Sequence, residues 1–318
     1  MGDVNWKDLR NDQDRDDSNK QVKLQGLSDV QDLENFMDID DDDDVNSNKI
    51  NVLRLHSMDS DHAHHHLMVG GTNIHPSSHH IHMDPSLRVF FTLNELKVGK
   101  TIPIYFPKND PSKSPQLLPK EEADSIPFSL KQLPYLLRFF SFSQGSPQAI
   151  AMENTLRECE TKPIKGETKF CATSLDSMFD FARTIFGLNS KFQIVATIHL
   201  ISKSNTHFQN YTILGTPKEI STPKMKMVAC HTMPYPYAVL YCHSQETQNR
   251  VFKVSLGGEN GDRVEAVAVC HMDTSQWTPN HVSFRVLGIE PGTPGVCHFF
   301  PADNFVLIPL PSTHPLKL

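Results

Sequence analysis

The 318-residue chain has no cysteine before Cys159, no tyrosine before Tyr105, and two tryptophans, Trp6 and Trp277. It holds no run of the roughly 18 to 20 apolar residues that a membrane-spanning helix needs, which excludes a membrane span. A basic excess is missing too: 30 Lys and Arg stand against 37 Asp and Glu, so nucleic acid is excluded as a partner for the whole chain. Met1 to Trp6 lack the apolar stretch of a signal peptide, and Trp6 stands where a myristoylation motif wants Ser or Thr. If the protein is secreted, the expectation is a chain whose leader has already been removed.

What is present is unevenly spread. Residues 1–44 carry 14 Asp and one Glu against five Lys or Arg, ending in the run Asp40 to Asp44, whereas the remainder is close to neutral. Nine of the 17 histidines fall between His56 and His82. Residues 1–50 have too little apolar surface to offset the entropy of ordering and read as a disordered acidic segment. Residues 51–86 read as a His-rich linker, residues 87–311 as the folded body and 312–318 as a C-terminal tail. The linker is a second possible metal binder, one whose affinity would fall as its imidazoles protonate near about pH 6.5; a solvated linker is the plainer reading.

The body opens with the β-rich run Val89 to Leu93, then Thr101 to Phe106, which reads as an edge strand because of Pro103. Three helical patterns follow: Ser129 to Phe140, Ser146 to Cys159 with Pro147 in its first turn, and Ser174 to Phe186 closed by Gly187. From Lys191 onward the period shortens into eight β-branched or aromatic runs: Phe192–Ile201, Tyr211–Leu214, Met225–His231, Tyr237–His243, Arg250–Leu256, Val264–His271, Val282–Ile289 and Val296–Phe300. Eight short strands separated by Gly- and Pro-rich turns predict an antiparallel β-sandwich or barrel-like sheet. With the helices packed on it, the class is α+β.

Four dipeptides carry the chemistry: Cys230-His231, Cys242-His243, Cys270-His271 and Cys297-His298, separated by 10, 26 and 25 residues. Adjacent side chains on a strand point to opposite faces, so Cys and His part company at each site. If four strand ends meet, the sulfurs gather on one side and the imidazoles on the other. That geometry argues against a mixed Cys/His zinc site, and no Cys-x2-Cys knuckle is present. The sulfurs are then read as disulfides and the imidazoles as a separate cluster suited to Cu(II), with Zn or Ni as possible substitutes. Ordinary hydrogen-bonded histidines are the alternative. Cys159 and Cys171, with 11 residues between them, read as a further bridge contributing on the order of 3 kcal/mol. Six cysteines allow 15 pairings, so the connectivity stays open. Asn210-Tyr211-Thr212 is an N-glycosylation sequon. His199, His207, His281 and His314 fit no pattern and read as ordinary surface or core residues.

The four Cys-His pairs, Val89-Phe90-Phe91, Leu96 to Lys100, Cys159, Cys171 and Pro291-Gly292-Thr293 together resemble the plant BURP domain, across about residues 87–311. The likeness is to the repeat-poor, seed- and embryo-associated type. It implies entry to the secretory pathway, with apoplast, cell wall or storage vacuole as destination. Some members are copper-dependent cyclases that crosslink a Tyr or Trp side chain within a peptide of their own variable region. Carried over, His231, His243, His271 and His298 would ligate copper, the cysteines would hold the strands, and Trp6 would be the candidate substrate residue, since no tyrosine precedes Tyr105.

Three functions follow as expectations. One is a secreted, copper-binding module with a structural or interaction role in cell wall, seed or stress biology. Another is a copper-dependent peptide macrocyclase acting on its own N-terminal peptide or on a peptide in trans. The last is a non-catalytic partner of a cell-wall polysaccharide or its hydrolase. A glycosidase is disfavoured because no pair of carboxylates stands out as acid and nucleophile. On the two-face reading, replacing Cys242 or Cys270 with Ala should cost ~2–5 kcal/mol in a denaturant titration. Replacing His243 or His271 should cost copper affinity and leave the fold largely intact; equal losses from both kinds of change would argue against the reading.

Overall fold

The computed structural model describes residues 87–107, 114–203, 207–221, 225–292 and 295–310. The acidic segment with Trp6, the His-rich linker and the tail with His314 lie outside the described residues. In chain order the strands and helices are β1 (Phe90–Thr92), β2 (Thr101–Tyr105), α1 (Lys120–Ser125), α2 (Leu133–Phe139), α3 (Pro147–Glu160), β3 (Glu167–Ala172) and α4 (Leu175–Phe186). There follow β4 (Phe192–Ala196), β5 (Ile198–Ile201), β6 (Phe208–Ile213), β7 (Lys218–Glu219), β8 (Val228–Met233), β9 (Val239–Gln245), β10 (Asn249–Gly258) and β11 (Arg263–His271). The chain then forms α5 (Val282–Leu287), β12 (Val296–Phe299) and β13 (Phe305–Pro309).

The strands make two antiparallel sheets, and the fold is α+β as expected. The larger runs β1-β12-β11-β10-β6-β2, with β5 on β11 and β7 on β10; the smaller runs β3-β9-β8-β13-β4. The larger sheet curls until its ends approach, where N of Tyr105, the last residue of β2, donates to Arg88 O before β1 at 2.9 Å. Its concave face encloses Phe91, Ile104, Phe106, Tyr211, Val254 and Phe299. As Pro103 predicts, β2 is the terminal strand.

The two longest helices form where local chemistry satisfies their ends. Ser146 caps α3 by accepting from Ala149 N, with Pro147 in the first turn. Ser174 and Ser177 make a reciprocal capping box on α4, and Gly187 closes that helix at a φ of 106°. Helix α4 covers one face of the smaller sheet, where Met178, Phe181 and Ala182 meet Val228, Leu240 and Leu307. The opposite face is shared. Part of it packs on the larger sheet through Val195, Ala229 and Val306 against Val251, Val267 and Val269. The rest lies under α2 and α3, where Leu136, Met152 and Leu156 meet Val239 and Tyr241.

Several boundaries depart from the sequence expectation. Phe192–Ile201 is two strands in different sheets, broken at the buried Thr197, whose hydroxyl donates to Phe300 O and accepts from Val267 N. Val282–Ile289, expected as a strand, is instead the short helix α5, capped by His281 and ended by Gly288 in the left-handed region. The helix α1 and the strands β3, β7 and β13 lie outside the elements the sequence predicts.

Candidate functional site

Strand register explains where the Cys-His pairs go. Cys230 lies directly opposite Cys242 between β8 and β9, and Cys270 opposite Cys297 between β11 and β12. Each pair is bridged, as are Cys159 and Cys171, and no cysteine is left over. Gly295 lets β12 reach this position: a Cβ there would meet His271 O at 2.8 Å.

Side-chain alternation separates Cys from His as expected, but the sulfurs do not share one side. Cys230 and Cys242 face the core beneath α4, whereas Cys270 and Cys297 face the concave core of the larger sheet. The two sheets turn their histidine faces toward each other. The imidazoles therefore lie between two outward disulfides, each only 4–8% exposed. Only Cys270-His271 sits at a strand end; the other three pairs lie within their strands.

The four rings form a row. His243 and His231, on the smaller sheet, have centroids 5.4 Å apart; His231 and His298 meet across the sheets at 6.4 Å; and His298 stacks on His271 at 5.5 Å. Phe300 packs 5.0 Å from both His231 and His298. The row continues to Trp277, 5.0 Å beyond His271, and from there to His281 at 4.5 Å.

Burying imidazoles is costly unless their nitrogens find partners. His243 Nδ1 lies 3.0 Å from the buried Glu167 Oε1. Asn304 accepts from Thr232 N through Oδ1, which orients its amide so that Nδ2 donates to His231 Nδ1 at 3.2 Å. Asn249 donates to Thr247 O, leaving its Oδ1 to accept from His271 Nδ1 at 2.8 Å, with Gln245 Oε1 at 3.1 Å. The remaining nitrogen of His271 is 3.3 Å from His298 Nε2, so His298 donates there.

This proton inventory corrects the cofactor expectation. Among the described residues no group of three or more His, Cys, Asp or Glu is placed to hold a metal ion. The donors of His231, His243, His271 and His298 are strung along a row and engaged by side-chain amides, a carboxylate and one another. Metal ligation requires several lone pairs aimed at one point. Neither Cu(II) nor the substitutes Zn and Ni are supported.

A second buried network adjoins the row. Glu167 Oε2 accepts from Ile164 N, and Lys169, across from His243 on β3, donates to Glu158 O at 2.7 Å. The Lys169 ammonium also lies over the Tyr241 ring, 5.1 Å from its centroid. Burial raises the Glu158 pKa despite the nearby Lys169, and burial lowers that of Lys169 despite the nearby Glu158 and Glu167. Tyr241 is pushed up by burial first, then by the Glu167 and Glu158 carboxylates. Glu167, Gln245, Asn249, Trp277, Phe300 and Asn304 were not picked out from the sequence, because nothing in their local spacing marks them. His281 was read as ordinary, and it is the cap of α5 that lies against Trp277.

Two antiparallel sheets, each carrying a disulfide across neighbouring strands, and a third bridge from α3 to β3 define a class: a bridged α+β domain of the kind found where thiols are oxidised. The chain belongs to the BURP family, whose domain matches residues 89–309. Relatives agree. BURP domain-containing protein BNM2A of Brassica napus is 46% identical over 229 residues, covering 71% of this chain and 80% of that protein. BURP domain protein USPL1 of Arabidopsis thaliana is 47% identical over 229 residues, covering 71% and 81%. BURP domain protein RD22 of Arabidopsis thaliana is 40% identical over 228 residues, covering 71% and 57%. The bridges fit a secreted plant protein, and among the described residues no helix is long and apolar enough to cross a membrane.

The seam changes what a histidine substitution does. His243→Ala strands the buried Glu167 and should destabilise the domain by about 2–4 kcal/mol in urea; a wild-type midpoint would show that the seam carries no load. The pH dependence has a definite sign. Because the folded Glu158 pKa lies above its ordinary 4.5, its contribution is full below that value and is lost as pH rises through the raised one. Across that window wild type should lose stability relative to Glu158→Gln in urea titrations, and parallel curves would refute the assignment.

Proposed function

We propose that this chain is a secreted plant protein whose BURP domain serves as a disulfide-held structural or interaction module in cell wall, seed or stress biology. One observation carries the reading: the distinctive Cys-His residues are all spent inside the fold. The sulfurs are buried in bridges and the imidazoles in a hydrogen-bonded seam. Surfaces, not a solvent-open reactive centre, are what such a domain offers to its surroundings. The partner on this reading is a wall polysaccharide or an enzyme that acts on one.

Fractionation of plant tissue expressing the tagged full chain tests this. The protein should appear in the extracellular or wall-bound fraction. Alkylation of the denatured protein should label no cysteine before reduction and all six afterwards. A cytosolic chain with reactive thiols would sink the proposal.

A further inference from the structure

We propose that Asn210 carries an N-linked glycan. The inference rests on the secretory reading above. Asn210-Tyr211-Thr212 is the one Asn-x-Ser/Thr sequon in the chain. It lies on β6, whose alternation sends Gln209, Tyr211 and Ile213 inward and leaves Asn210 exposed on the outer face. Tyr211 is fully buried, so the middle residue of the sequon anchors the strand while its Asn faces solvent. The Asn210 amide is held only by a surface contact, donating to Glu259 Oε2 at 3.2 Å, which water can replace. Thr212 Oγ1 lies 2.9 Å from Thr101 Oγ1 on the same open face.

The surroundings suit a sugar. Opposite Asn210 is the exposed Pro103 of the terminal strand β2, and two residues before Asn210, Phe208 is 40% exposed. A glycan rooted at Asn210 covers this apolar surface.

The co-reactant is an oligosaccharide linked to a polyprenyl pyrophosphate. Asn210 Nδ2 attacks the anomeric carbon, forming the N–C bond as the C–O bond to pyrophosphate breaks. One amide proton is released, polyprenyl pyrophosphate leaves and no electrons are exchanged. Since β6 is laddered to β2 on one side and β10 on the other, the transfer precedes closure of that ladder.

The full chain, exported from plant cells behind a secretory leader, provides the test. Peptide mapping before and after peptide N-glycosidase A in heavy-oxygen water should locate the glycan and then an isotope-labelled aspartate at this position. N210Q and T212A should migrate as the trimmed protein with or without the enzyme, and T212S should retain the glycan. An exported chain with every cysteine bridged but Asn210 unmodified would overturn the glycan and leave the secretory reading standing. A chain that emerges reduced and unmodified would overturn both.

Discussion

The opposed direction of neighbouring side chains on a β-strand is the constraint on which this protein is built. In each Cys-His pair it sends sulfur and imidazole to different faces of the same sheet. Because the pairs are divided between two sheets, the outcome has three layers: one disulfide beneath α4, four imidazoles between the sheets, and one disulfide within the curl of the larger sheet. Each bridge locks the register of two directly opposed strands. Register in turn fixes where each ring enters the seam, since a slip of one residue would exchange every sulfur for an imidazole.

The seam shows how polar groups can occupy a core. Isolated imidazoles at this depth would cost more than the packing around them returns. Here Glu167, Asn304, Asn249 and Gln245 supply partners, and each comes from a strand or loop bordering the row. Phe300 and Trp277 fill the apolar volume between and beyond the rings. A row with at least one nitrogen of each ring committed in this way joins the sheets. It is poorly suited to gathering lone pairs around an ion, and that is why histidine identity and spacing suggested a metal centre that the side-chain geometry does not support.

Much of this was legible in local patterns. Pro103 marked β2 as an edge, Ser146 and Pro147 marked the start of α3, and Ser174 with Gly187 bracketed α4, because caps and prolines act on their own backbone neighbourhood. The division of Ala266, Ala268 and Cys270 from Val267, Val269 and His271 was legible for the same reason. Val282 to Leu287 misled: its apolar residues suit a strand, but His281 and Gly288 supply helix ends, and Phe284 needed a face to pack against Phe90 and Val296. Thr197 was also opaque, since its role depends on Val267 and Phe300, which are remote in sequence.

The amino-acid order by itself determined the fold class, the even cysteine count, the separation of thiol from imidazole and membership of a family with this spacing. These follow from short-range sterics and strand alternation, which act between neighbours along the chain. Only the tertiary structure decided which sulfurs pair, that the two bridges lie on opposite outer faces, and that the rings run in a line committed to Glu167 and the amides. Those outcomes depend on which strands meet and at what register, and that is set by burial of surfaces far apart in sequence.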